Sequence, residues 1–105
     1  MSSGIITGNV ISMGVITKSI DVASVAANTT AEQTFAITGL RVGDFVTVSK
    51  PSLSAGLGVV NARVSAADTI AISFVNATGS PIDPASETYL ILWVRPDFTQ
   101  AGVAI

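Results

Sequence analysis

"SETYLILWVRP", residues 86–96, is the stretch on which the fold turns. From Tyr89 to Val94 every residue is aliphatic or aromatic. In extended chain Tyr89, Ile91 and Trp93 project to one side, and Leu90, Leu92 and Val94 to the other. A half-buried antiparallel strand normally alternates apolar with polar residues. This one is apolar on both sides. It follows a loop with two prolines, Pro81 and Pro84, and it stops at Pro96. One row must fill the interior. A chain of 105 residues builds one core, so the other row needs cover from a neighbouring subunit or from the chain's own arm. The expected contact residues are Tyr89, Ile91, Trp93 and Arg95 here, with Ile5, Ile6, Ile11 and Phe98 near the chain ends.

Working outward, the same period of two recurs. "QTFAITGL" (33–40), "DFVTVSKP" (44–51), "GVVNARVS" (58–65) and "TIAISFVN" (69–76) alternate and are rich in Val, Ile, Thr and Phe. "ITKSIDVASV" (16–25) is expected as the first core strand, and "AANTTAEQ" (26–33) as a connection. "GLRVGD" (39–44) is a turn, "SAAD" (65–68) a hairpin connection with Asp68 bonding turn backbone, and "ATGSPIDPAS" (77–86) a loop. About six core strands and no helix predict an all-β fold, an antiparallel β-sandwich of jelly-roll-like form. Residues 16–96 form the sandwich, 1–15 an extended N-terminal arm and 97–105 a C-terminal tail. Those ends carry apolar residues where solvated tails are normally charged, which points to arms lying on something.

Composition narrows the function. Only 11% of residues are charged, about half the usual share, and the net charge is −2. A surface so poor in charge is expected to be buried in part against other chains. The five basic residues are scattered, so no stripe offers itself to phosphates and no nucleic-acid partner is expected. The uncharged stretch at residues 1–17 lacks a basic leader and is broken by three glycines. It fits neither a signal peptide nor a membrane span, and no membrane partner is expected.

Chemistry is thinly provided. There is no histidine and no cysteine, which removes the commonest general base, the commonest metal ligand and every thiolate. Most carboxylates fall at turns or strand ends, where backbone capping explains them. Asn28 and Asn76 each open a glycosylation sequon and read as turn residues. Trp93 with Tyr89 suggests a sugar-stacking platform, but core or interface is the simpler reading. Arg63 and Arg95, in or beside apolar strands, call for carboxylate partners. No catalytic residue, cofactor, metal or small-molecule substrate is expected.

Residues 27–96 carry a resemblance. The pieces "AEQTFAITGLRVGD", "KPSLSAGLG", "ARVSAADTIAISFVNATG" and "DPASETYLILWVR" resemble small β-sandwich structural proteins of tailed-bacteriophage virions. The resemblance spans about two thirds of the chain and brings no catalytic residues. It implies a capsid decoration, or cement, protein on the outer surface of the head. Its partners would be the major capsid protein and further copies of itself, as a homotrimer. A tail, fibre or baseplate module involved in attachment is the alternative it leaves.

Overall fold

The structure is a computed structural model and describes residues 9–97. Six strands account for most of them: β1 (Val10–Ile20), β2 (Thr29–Ala36), β3 (Phe45–Ser49), β4 (Leu57–Ala66), β5 (Thr69–Asn76) and β6 (Glu87–Pro96). They form two three-stranded sheets. The front sheet has the order β1-β6-β3 and the back sheet β2-β5-β4, with every pairing antiparallel. The chain changes sheet at every connection except the β4–β5 hairpin. That wrapping is jelly-roll-like, with six strands instead of eight.

The two sheets pack face to face over one core. Ile70, Ile72 and Phe74 of β5 meet Tyr89 and Ile91 of β6, and Ile20, Val22, Val25 and Leu40 close the ends. The two central strands, β5 and β6, supply the largest fully buried side chains, Tyr89 and Phe74. The strands form where alternation and β-branched content predict them, and special turn residues punctuate them. Asn28 (φ 53°) precedes β2 and Gly39 (φ 102°) follows it. Asp68 (φ 59°) sits in the two-residue turn after Ala66, accepts a bond from the Gly39 N–H at 2.7 Å through its side chain, and ties the hairpin to the 37–40 corner. Asn and Asp tolerate this left-handed backbone better than other side chains.

Two boundaries differ from the expectation. The first strand begins at Val10 and ends at Ile20, so residues 10–15 belong to the sandwich and not to an arm. Their backbone is taken up by β6, whose ten residues present a full-length edge to pair with. Likewise, β2 occupies residues 29–36, four positions upstream of the expected strand, because Gly39 turns the chain before it can run on to Leu40. The tail, with Phe98, and the stretch with Ile5 and Ile6 lie outside the described residues.

The long 77–86 loop is held from within. Asn76, fully buried at the end of β5, donates from Nδ2 to the Val25 and Ser80 carbonyls at 3.0 and 2.8 Å. Its Oδ1 accepts from the Thr78 N–H and hydroxyl at 2.9 and 2.7 Å. All four bonding positions of the amide are used, and a Val25–Ile82 backbone bridge completes the tether. Both sequon asparagines are thus local structure: Asn28 at a turn, Asn76 in the interior.

Candidate functional site

The register of β6 decides which of its two rows faces the core. Tyr89 and Ile91 are fully buried, and Trp93 packs against the same cluster half-buried. Leu90, Leu92 and Val94 therefore face outward. Beside them, β1 places Met13, Val15 and Thr17 opposite Val94, Leu92 and Leu90. On the other side, β3 places Phe45, Thr47 and Ser49 opposite the same three. The alternation of β1 adds Ile11 to this outer face. Exposure is high for such side chains: Ile11 61%, Met13 49%, Val15 65%, Phe45 60% and Leu90 49%. Val15, Leu90 and Leu92, with Thr47 and Ser49, line a shallow apolar depression in its middle.

No charged residue stands on this face between Ile11 and Thr17, Phe45 and Ser49, or Leu90 and Val94. The back sheet is built the other way. Its outer face carries an ion pair spanning the central strand, Arg63 on β4 to Glu32 on β2, with both Nε and Nη2 donating at 2.8 Å. Thr34 and Ser73 lie beside it, as an outward face in water requires. Within one chain, then, one outer face is polar and the other apolar.

Both strand arginines find their carboxylates inside the chain. Arg95 donates from Nε and Nη2 to the two oxygens of Asp44 at 2.9 and 2.7 Å, and to the Gly39 carbonyl at 2.9 Å. The Asp44 carboxylate is almost wholly covered and also accepts from the Arg41 N–H at 3.0 Å. The Arg95 guanidinium holds the Asp44 carboxyl below its ordinary range, against the opposing pull of burial. Arg63 does the same to Glu32, and Lys50, with Ser52, to Glu87. The Arg95 guanidinium also lies 5.2 Å from the centre of the Trp93 ring. Arg95 therefore clamps the 39–44 corner to β6. It is not a free group awaiting a partner.

The expected contact residues separate accordingly. Tyr89 and Ile91 are interior in the folded chain, and the row open to a neighbour is Leu90, Leu92 and Val94. Ile11 stands on the open face. Trp93 and Arg95 belong to the end of the sandwich, where Trp93 lines a hollow with Ile16 and Leu40. A Trp93–Tyr89 sugar platform is ruled out, because Tyr89 has no exposed surface. Met13, Val15 and Phe45 were not anticipated. Their alternation was visible, but it does not tell which row is outward.

Among the described residues no cluster of three or more potential metal-ligating side chains occurs, and no helix is long and apolar enough to cross a membrane. The chain matches no family model, no curated protein and no solved structure.

Proposed function

We propose that this chain is a non-enzymatic structural protein of a tailed-bacteriophage virion, a decoration protein that binds and stabilises the assembled head. The observation that carries the reading is the uncharged apolar outer face of the front sheet. Such a face gains free energy by removing area from water, at about 25 cal/mol per Å², and it desolvates no charge in doing so. The internal pairing of Arg63 and Arg95 supports the same reading, since it takes the strand arginines out of use for substrates. The resemblance of residues 27–96 to phage structural sandwiches gives the reading its setting. On this reading the partners are the major capsid protein and further copies of the chain. The place of action is the outer capsid surface, with no cofactor, nucleic acid, membrane or small-molecule substrate involved.

Cryo-electron microscopy of phage particles carrying this chain tests the proposal. The expected result is density for the sandwich repeated over the capsid lattice. Density confined to the tail would replace the head assignment with the attachment-module reading. Absence from the particle would overturn the virion reading altogether.

A further inference from the structure

We propose that the outer face of the front sheet is the contact between copies of this chain, seated on the same face of a second copy. Three observations select that occupant. The first is complementarity within the chain itself. An apolar sheet face packs best on another apolar sheet face, with side chains interleaved across a gap of about 10 Å. The back sheet cannot be that partner, because its outer face carries the Glu32–Arg63 pair. The front sheet of another copy can.

The second observation is charge. Symmetric contact brings like groups together, so a charged patch repels its own copy. The three strand segments of this face hold no charged residue at all. Its hydroxyls, Thr47 in the middle row and Thr17 and Ser49 at the Leu90 end, tolerate either water or a neighbour. The third is area. Ile11, Met13, Val15, Phe45 and Leu90 are each 49% or more exposed on this one face, a contiguous apolar patch of the largest kind that a free monomer carries, up to about 600 Å². Two such faces together bury about 1,000 Å², the threshold for a specific interface. Val15 and Leu90, on the rim of the central depression, are the expected anchors.

The proposal rests on the preceding reading only in holding that the chain works in assembled form; a same-face contact is two-fold, so it replaces the homotrimer implied by the resemblance with an even number of copies. It does not depend on where in a particle the assembly sits.

The test is the mass of the purified full chain by light scattering coupled to size-exclusion chromatography. The expected result is a mass of two chains, or a higher even number, each of 10.6 kDa. Val15→Lys and, separately, Leu90→Glu should each drop the mass to one chain, since each puts a charge into the contact. Thr34→Lys on the outer face of the back sheet should leave the assembly intact. All three positions are exposed, so the fold should survive, as far-ultraviolet circular dichroism will show. Should a charge variant unfold, Val15→Thr combined with Leu90→Thr keeps strand-forming residues and should weaken association at least tenfold. A single-chain mass for the unaltered protein overturns the proposal. So does an oligomer that persists undiminished in the front-sheet variants. An oligomer lost through Val15→Lys, with no density on the head, would uphold this inference and defeat the decoration reading.

Discussion

Tyr89 sits at the centre of the core with its hydroxyl buried and without a hydrogen-bond partner. Burial, aided by the nearby Glu87 carboxylate, pushes its pKa up to about 12 from 10. The folded chain thus holds the phenol neutral at pH values where the unfolded chain releases its proton. Stability from this group is complete below pH 10 and is lost as pH rises toward about 12. It is the only tyrosine in the chain, so an ultraviolet titration of phenolate reads it alone. The expected titration lies well above that of free tyrosine, and Tyr89→Phe removes the alkaline loss of stability. Because the hydroxyl bonds to nothing, Tyr89→Phe should stabilise the fold at neutral pH by up to about 1 kcal/mol, measured by urea unfolding. Asn76 is the opposite case. Asn76→Ala leaves the Thr78 N–H without its acceptor and takes one of two donors from each of the Val25 and Ser80 carbonyls, which keep the Ile82 N–H and the Thr78 hydroxyl. It should cost about 2–3 kcal/mol in the same experiment.

Among the elements, β1 and β6 are joined at a close approach. A Cβ at Gly14 would come within 2.9 Å of the Trp93 Nε1. Gly14 faces Trp93 across the pair and leaves room for the indole to lie over the β1 backbone. Gly14→Val should push the ring outward. Trp93 is the only tryptophan, so its fluorescence should shift to longer wavelength with the strands still formed. An unchanged spectrum would mean that the ring has somewhere else to go. The turn before β4 has less tolerance. Gly56 has φ +84°, and a Cβ there would overlap the Thr78 methyl group. The same loops that look loose in sequence are therefore closely fitted against one another.

For the whole molecule, six of the twelve charged side chains are gathered, among the described residues, into three long-range pairs: Lys50–Glu87, Arg63–Glu32 and Arg95–Asp44. All three carboxylates titrate below their ordinary range in the folded chain. Their contribution is complete above the unfolded carboxylate range and is lost as pH falls through the lower folded values. The melting temperature should therefore hold steady near neutrality and fall in acid. Asp44→Asn should flatten that fall more than Glu32→Gln, since Asp44 is covered and Glu32 stands in solvent. Thermal melts from neutral to strongly acid pH check the ranking. Asp44→Asn also loosens the 39–44 corner, and a lower melting temperature at neutral pH should accompany it.

Much of this architecture is legible in the residues. Period-two alternation marks four strands, the apolar run of residues 89–94 marks a fifth, and Gly39, Asp68 and the two loop prolines mark their ends, because backbone preference and turn chemistry are local. The paired arginines were legible as a need for carboxylates, though not as to which ones. Arg95 and Asp44 stand 51 residues apart, and only the pairing of β3 with β6 brings them together. The start of β1 was hidden for the same reason: a stretch with Gly8 and Gly14 reads as an arm until a ten-residue edge exists to pair with it. The feature least decided by local preference is "YLILWV". Its sequence alone determined a strand with two apolar faces, one of them more than a single small sandwich can bury. Only the tertiary structure decided that Tyr89 and Ile91 are the interior and that Leu90, Leu92 and Val94 are left outside. A slip of one residue in register would exchange the two rows without changing a letter of the sequence.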